Sequence, residues 1–310
     1  MKKRLLWKIP LGILLSIFAL LLVVWGGLNL IKFALFSTYY GNLDRLCRNP
    51  GLGDGFICQG ISAVEEEGVI LTSGYMKDGS ASRIYITNEE NESRFVKLQE
   101  NGKDFVGHAC GLAVTGGQVY LANEDSHLYV LSLEEVLQND VVEIRSSFEV
   151  NNHASYVFTD DVSLYVGEFH DGTHYICEHE NETEDGVYMS IVTRYDLQDL
   201  RTPKEIWATR NKVQGICFTN GKVVLSTSYG LAASEFYIYE EDKATESGKE
   251  LDGAPVYYLD HALSSFSGPS MSEDLDVYQG KVITLFESAS NKYLFGKFFF
   301  ANYIASLDIL

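Results

Sequence analysis

A pattern of strand, tight turn and strand recurs along most of this chain and limits the folds that it can adopt. Short runs of Val, Ile, Tyr, Phe and Leu alternate with polar residues and end at Gly, Asn, Asp or Ser, which is the pattern of β-strands. Five copies of the hairpin align at Ile61, Leu112, Tyr156, Ile216 and Leu275. Repeats of roughly 40–60 residues, each with about four short strands, are typical of β-propeller blades.

The repeat predicts an all-β domain folded as a β-propeller. Residues 61–310 have room for five blades, which is the favoured number. A sixth blade is possible if residues 41–58 combine with the C-terminal strands. The alternative is a β-sandwich of two stacked sheets, which the long period disfavours. One short helix is expected at 133–137.

The N-terminal segment is apolar and basic. Residues 9–31 contain no charged side chain, and a helix of that length spans the roughly 30 Å core of a bilayer. A cleavable signal has a shorter apolar run and a small-residue cleavage site, whereas Trp25, Asn29 and Lys32 lie at the end of this one. An uncleaved signal anchor is therefore predicted, with a removed signal peptide as the alternative. Four Lys or Arg residues before the run and one after it predict a cytoplasmic N-terminus.

These observations predict a single-pass protein of the cell membrane with four segments. They are a cytoplasmic basic segment at 1–8, a transmembrane anchor at 9–31, a juxtamembrane linker at 32–55 and an extracellular propeller at 56–310. The chain carries 24 Lys and Arg against 43 Asp and Glu, a net charge of −19. Such an acidic protein is a poor partner for nucleic acid, because phosphate backbones bind basic surfaces. The five cysteines form no disulfide framework, although Cys47 and Cys58 are close enough in sequence to bridge a loop.

Propeller geometry predicts where distant polar side chains meet. The innermost strand of each blade lines the central channel, so the starts of all inner strands converge at one opening. The predicted ligand-binding residues at these starts are Gln59, His108, His153, Gln214, Glu273 and Asp274. The turns between second and third strands add Asn123, Glu124, Glu168, Ser228, Tyr229, Glu287 and Ser288. His153 is one position out of register with Gln214, so its inward direction would require a β-bulge.

The same residue types also suit a divalent cation. The metal ligands predicted at the opening are Glu273, His108, Gln59 and Gln214, and the weaker pair is His170 and His174. His170 and His174 flank an Asp-Gly turn and would approach each other across a hairpin. The alternative is that the polar side chains at the opening only bind water and backbone ends, as channel mouths commonly do.

The blade sequences resemble those of a known superfamily. The segments VQGICFTNGKVVLSTSYG (213–230) and SMSEDLDVYQGKVITLFESASNKY (270–293) look like secreted or membrane-anchored bacterial β-propellers. These are broadly similar to the lactonase, gluconolactonase and strictosidine-synthase-like superfamily. The resemblance covers roughly residues 56–300 and implies a propeller fold. It includes no diagnostic catalytic motif, and members of the group range from metal-dependent hydrolases to proteins without known activity.

Two functions from different classes follow. The favoured one is a membrane-anchored binding module that recognises a protein or glycan at the cell surface through its channel face. The alternative is a metal-dependent extracellular hydrolase or lyase at the channel mouth, with His153 as general base and His108 as a further catalytic candidate. The sequence contains neither the G-x-S-x-G nor the H-E-x-x-H motif. A structural subunit of a membrane complex is a third interpretation.

Overall fold

The computed structural model describes residues 5–293 and 299–309, which form one N-terminal helix followed by a ring of β-sheets. Helix α1 (Leu5–Leu35) contains the one helix segment in these residues that is long and apolar enough to cross a membrane, Leu11–Leu35. A short second helix, α2 (Ser37–Gly41), follows almost without a break. The third, α3 (Leu133–Gln138), matches the short helix expected from the sequence. Single 3-10 turns occur at Glu65–Glu67, Glu241–Lys243 and Glu287–Ala289.

The rest of the described chain is built from short strands. The first part contains β1 (Leu43–Arg48), β2 (Phe56–Val64), β3 (Val69–Met76), β4 (Arg83–Asn88), β5 (Ser93–Glu100), β6 (Lys103–Asp104), β7 (Gly111–Thr115), β8 (Gln118–Ala122), β9 (Asp125–Ser132), β10 (Val141–Glu143) and β11 (Ser146–Ala154). The middle contains β12 (Tyr156–Thr159), β13 (Ser163–Gly167), β14 (Asn181–Thr183), β15 (Gly186–Tyr188), β16 (Ser190–Asp196) and β17 (Asp199–Thr209). The last part contains β18 (Val213–Thr219), β19 (Lys222–Thr227), β20 (Ser234–Glu240), β21 (Thr245–Leu251), β22 (Ala254–Tyr258), β23 (Ser264–Gly268), β24 (Ser272–Tyr278), β25 (Lys281–Phe286) and β26 (Tyr303–Leu307).

Five of the sheets are the blades of a β-propeller, as predicted. From the inside outward, blade 1 is β2-β3-β4-β5-β10, blade 2 is β7-β8-β9-β11 and blade 3 is β12-β13-β16-β17-β22-β21. Blade 4 is β18-β19-β20-β23, and blade 5 is β24-β25-β26-β1. Each inner strand contacts the inner strands of the two neighbouring blades, so the ring is closed.

Blade 5 is completed by the N-terminal strand β1, which pairs antiparallel with β26 from Leu43–Leu307 to Arg48–Tyr303. The segment 32–55, expected from the sequence to be a linker, therefore contributes the outermost strand of the last blade. The C-terminal strands do combine with residues near 41–58, but they complete a fifth blade rather than a sixth. This pairing covers the outer edge of β26, and β1 becomes the edge strand of blade 5.

Three glycines allow the inner strands to approach one another closely around the channel. A Cβ on Gly60 would lie 2.9 Å from the backbone nitrogen of Leu112, and one on Gly111 would lie 2.5 Å from the Cα of Tyr156. On Gly215 it would lie 2.5 Å from the nitrogen of Leu275. Such distances exclude any side chain unless the strands separate.

A buried carboxyl group ties three inner strands at the same level. Asp274 of β24 accepts hydrogen bonds from the backbone N–H groups of Ile61 (3.3 Å) in β2, Leu112 (3.1 Å) in β7 and its own neighbour Leu275 (3.0 Å). These contacts use backbone donors that face the channel and would otherwise need water. Asp274 thus holds the inner strands of blades 5, 1 and 2 together.

The α1–α2 junction is packed into the propeller rather than joined to it by a flexible tether. Tyr39 of α2 is fully buried, with its ring centroid 6.3 Å from that of Phe236 and 5.9 Å from that of Phe286. Phe36, between the helices, lies 6.2 Å from Phe299 in the β25–β26 connection. The helix therefore ends against blades 4 and 5.

We expect Gly215→Ala to lower the free energy of unfolding by about 2–3 kcal/mol, because the added methyl group forces β18 away from β24. Urea denaturation followed by tryptophan fluorescence measures the change. The matched control is Gly53→Ala, since no atom lies within 4 Å of a Cβ at Gly53. Equal stability of the two variants would contradict the role given to Gly215.

Candidate functional site

A cavity of about 370 Å³ lies at the end of the channel where the inner strands begin. We call it the channel-mouth cavity. Side chains from all five blades line it: Gln59, Tyr75, His108, Cys110, Glu124, Ser155, Phe169, Tyr175, Gln214, Ser228, Tyr229, Met271, Glu273, Glu287, Lys292 and Tyr293. Its volume falls in the range of roughly 300–1,000 Å³ that is common for small-molecule pockets.

Four of the residues predicted from the inner-strand starts meet in this cavity: Gln59, His108, Gln214 and Glu273. Gln59 and Gln214 each precede one of the close-approach glycines, and Glu273 precedes Asp274 at the equivalent position of blade 5. The repeated geometry of the inner strands therefore turns these three side chains toward the same space. Four residues of the predicted second turns, Glu124, Ser228, Tyr229 and Glu287, also line it.

Two carboxyl groups, Glu273 and Glu287, are the main polar groups of the cavity. Burial raises the pKa of Glu273 well above its ordinary value, and the nearby Glu287 raises it further. Burial also raises the pKa of Glu287, opposed by Lys292, His108 and the amide of Gln59, whose Nε2 donates to Glu287 Oε2 at 2.9 Å. We infer that Glu273 keeps its proton at pH values where an ordinary Glu has lost it.

A histidine–carboxylate pair and a lysine complete the polar lining. His108 Nδ1 lies 2.5 Å from Glu124 Oε2, which orients the imidazole ring. Lys292 Nζ bonds to the Tyr75 hydroxyl and lies 4.8 Å from the centre of that ring and 5.1 Å from the centre of Tyr293. Ser228 adds a buried hydroxyl without a hydrogen-bond partner among the described residues.

Aromatic side chains form two walls, of which the sequence predicted Tyr229 alone. One wall contains Phe169 and Tyr175, with ring centroids 5.3 Å apart, and extends to Tyr229, 6.1 Å from Phe169. The other contains Tyr75, which meets His108 edge to face at 4.8 Å, and Tyr293. Tyr75 could have been found by applying the second-turn rule to blade 1, because it nearly ends β3. Tyr175 and Tyr293 lie in irregular connections that no periodicity marks.

Two of the residues predicted at the opening do not line the cavity. His153 is exposed because it belongs to β11, the outermost strand of blade 2, and blade 3 begins only at Tyr156. The contact with Gly111 shows that Tyr156 occupies the position of the close-approach glycine, so Ser155 is the lining residue of this blade. Asp274 is fully buried and is engaged by backbone N–H groups, as described above.

Three of the second-turn residues are also elsewhere. Asn123 accepts a hydrogen bond from the Ala109 N–H (3.2 Å). Glu168 is buried among backbone donors and lies 3.4 Å from His179. The Ser288 hydroxyl accepts from the Ala301 N–H (3.3 Å). Each of these side chains serves local chain packing and adds nothing to the cavity lining.

The metal ligands predicted from the sequence do not form a dedicated metal centre. Within residues 5–293 and 299–309, no group of three or more His, Cys, Asp or Glu side chains is placed to hold a metal ion. Glu273 and His108 share the cavity with amide groups, and His108 Nδ1 is already engaged by Glu124. This donor set does not fit the compact ligand shells of zinc.

His170 and His174, the weaker predicted pair of metal ligands, differ in burial and in hydrogen-bond partners. His170 is buried and its Nδ1 accepts the N–H of Cys177 at 2.9 Å. His174 is largely exposed, with Nδ1 3.4 Å from Asp171 Oδ2. All five cysteines are free and buried, so Cys47 and Cys58 form no disulfide.

Comparison with known proteins supports the fold alone. No protein-family model matches the chain, and no curated protein matches it in sequence. The glutaminyl cyclase of Myxococcus xanthus is similar in structure, with a TM-score of 0.50 and 9% identity over 86% of this chain and 96% of that one. Hydrazine synthase of Kuenenia stuttgartiensis has a TM-score of 0.38 and 12% identity, over 74% of this chain and 55% of that one.

The likeness to glutaminyl cyclase supports the five-bladed propeller and, at 9% identity, brings no activity to this chain. The resemblance to the lactonase-like superfamily stays a prediction, because no family model matches.

We expect the free energy of unfolding to fall as the pH rises from about 4 into the neutral range. The pKa values of Glu273 and Asp274 are raised in the folded protein by burial, so the folded state retains protons that the unfolded state releases. Their contribution is complete below the ordinary carboxyl pKa and is lost as the pH rises through the raised values. Urea midpoints at pH 5 and pH 8 measure the loss, and Glu273→Gln should reduce it. A stability that increases toward pH 8 in the wild type would contradict this assignment.

Proposed function

We propose that this protein is a membrane-anchored binding protein that recognises a saccharide group in its channel-mouth cavity. Helix α1 holds the chain in the membrane with its N-terminus in the cytoplasm, as the basic residues before it favour. The propeller then lies outside the cytoplasm. The net charge of −19 makes a nucleic-acid ligand unsuitable.

The observation that carries this proposal is the convergence of all five blades on one cavity. Side chains that are about 50 residues apart in sequence meet there, and a propeller needs no such polar cluster to fold. Buried polar groups are costly unless they are hydrogen-bonded. The buried Ser228 hydroxyl, which has no hydrogen-bond partner among the described residues, therefore supports a preformed ligand contact, with the Glu273 carboxyl and the Gln59 amide beside it in the cavity.

The side chains that line the cavity indicate the chemistry of its ligand. Aromatic rings on two sides can pack against the apolar faces of a sugar ring, while amides and carboxyls bond to its hydroxyls. A protonated Glu273 is neutral and can donate as well as accept, which suits an uncharged hydroxyl ligand. Lys292, near both carboxyl groups, opposes the rise in their pKa and compensates negative charge in the site.

A hydrolase at the same cavity is the second candidate, and the carboxyl pair favours it. A Glu that keeps its proton beside a second carboxyl group has the properties of a general acid and its partner base. This candidate assigns Glu273 the role of acid and Glu287 that of base. It replaces His153, which lies outside the cavity, and it derives no step through a metal.

The test is isothermal titration calorimetry of full-length protein in nanodiscs against a panel of monosaccharides and cell-surface oligosaccharides. We expect at least one ligand to bind, and Tyr229→Ala to weaken that ligand about tenfold, or roughly 1.4 kcal/mol, through loss of an aromatic wall. The matched control is Asp161→Asn, an exposed residue of a turn at the far end of the channel. If Tyr229→Ala left the affinity unchanged and Asp161→Asn lowered it, the assignment of the site would be overturned.

Glu273→Gln separates the two candidates. The amide keeps the shape of a neutral carboxyl and its ability to donate, but it cannot release a proton. A binding protein should retain its affinity within about threefold, whereas a hydrolase should lose about 10²–10⁴-fold in turnover of the bound saccharide. Release of reducing sugar by the wild type and its loss in this variant would establish the hydrolase instead.

A further inference from the structure

The two ends of the channel differ in surface chemistry. We call the end with the channel-mouth cavity the mouth face, and the end with the turns between first and second strands the turn face. Exposed apolar side chains surround the cavity on the mouth face: Val106, Tyr175, Ile176, Tyr229 and Leu231. Val106 adjoins His108, Tyr175 and Tyr229 are lining residues, and Ile176 and Leu231 follow closely in sequence.

The turn face is acidic. The β2–β3 turn contains Glu65, Glu66 and Glu67, all exposed, and the β12–β13 turn contains the exposed Asp160 and Asp161. The β4–β5 turn adds the acids Glu89, Glu90 and Glu92. A depression of about 690 Å³ at this end has Glu65, Glu66, Asp160 and Asp161 among its lining residues. Such a surface is repelled by anionic lipid headgroups.

The end of the apolar helix is attached beside the mouth face. The β25–β26 connection supplies Glu287, Lys292 and Tyr293 to the cavity, and the same connection supplies Phe299 to the contact with Phe36. Tyr39 packs on Phe286, the residue directly before Glu287. Cavity and helix end therefore share one segment of chain.

The connection between helix and propeller is short. α1 ends at Leu35, α2 begins at Ser37, and Tyr39 is already buried in the propeller core. Leu30, Ile31, Phe33 and Leu35 are exposed apolar residues that extend the lipid-compatible surface of the helix up to this junction. A propeller tied this closely cannot move far from the bilayer that holds its helix.

We infer that the mouth face rests on the membrane surface, with its exposed apolar side chains at the headgroup level and the channel-mouth cavity open toward the lipid. Apolar and aromatic side chains around a cavity gain free energy by entering the interface, and the acidic turn face then points to water. The insertion at 178–185 carries five acids, and one of them, Asp185, is paired with Arg210, which lowers its repulsion from lipid.

The orientation has a consequence for the ligand. A cavity that faces the bilayer is accessible to groups carried by membrane components and screened from large soluble molecules. The inference rests on the anchored topology proposed above, and it narrows the saccharide ligand to one displayed on a membrane-resident molecule.

The experiment uses spin labels on single introduced cysteines in the full-length chain, in vesicles of phosphatidylcholine and phosphatidylglycerol. All native cysteines are buried and compete little for the label. Val106→Cys, Ile176→Cys and Leu231→Cys report on the mouth face. Val162→Cys, in the β12–β13 turn, is the matched control, because Val106 and Val162 are 61% and 65% exposed. Leu20→Cys reports on insertion of α1.

The readout is relaxation of each label by a water-soluble nickel chelate. We expect the mouth-face labels to be at least about threefold less accessible than the Val162 label, and the Leu20 label to be protected most. A protected Leu20 label with mouth-face labels as accessible as that at Val162 overturns the orientation and leaves the anchored topology intact. A Leu20 label in water overturns both. Saccharide binding, measured separately by calorimetry, is affected by neither result.

Discussion

The close approach of five inner strands around a narrow channel is the constraint on which the rest of this structure depends. Gly60, Gly111 and Gly215 leave no room for a Cβ between neighbouring backbones, and Asp274 bonds to backbone N–H groups of two other blades. These contacts set the height at which the inner strands begin. They therefore also set the height at which Gln59 and Gln214 meet Glu273. The contacts that pack the ring thus also assemble the cavity.

The cavity shows how a repeat can build a site from unlike residues. Equivalent positions of the five inner strands hold two amides, a carboxyl, a thiol and a hydroxyl: Gln59, Gln214, Glu273, Cys110 and Ser155. The blades share backbone geometry, and the residue type differs at each position because those side chains face the channel-mouth cavity. The irregular connections then add the aromatic walls. The ring and the cavity lining thus use different positions of the same unit.

Much of this arrangement was predictable from the sequence, and the exceptions have physical causes. The blade repeat and the inner-strand starts predicted the fold and the meeting of Gln59, His108, Gln214 and Glu273. His153 was misplaced because blade 3 has Tyr156 where blades 1, 2 and 4 have glycine, which shifts the alignment by one residue. Apart from Tyr229, the aromatic walls were not predicted, since Tyr175 and Tyr293 lie in loops whose path depends on tertiary contacts. The strand β1 was missed, and the segment 32–55 was expected to be a linker, because the partner of β1 is β26, which lies far away in sequence.

That pairing has a consequence for how the protein is made. During synthesis β1 leaves the ribosome before the other strands of the ring, whereas its partner strand β26 is the last of them to follow. Contacts of such large sequence separation form late, because closing a long loop costs entropy before any pairing is gained. β1 must therefore remain unpaired until the strands of the other blades have been synthesised. Ring closure is therefore the last step of folding, and a chain that ends before β26 cannot complete blade 5.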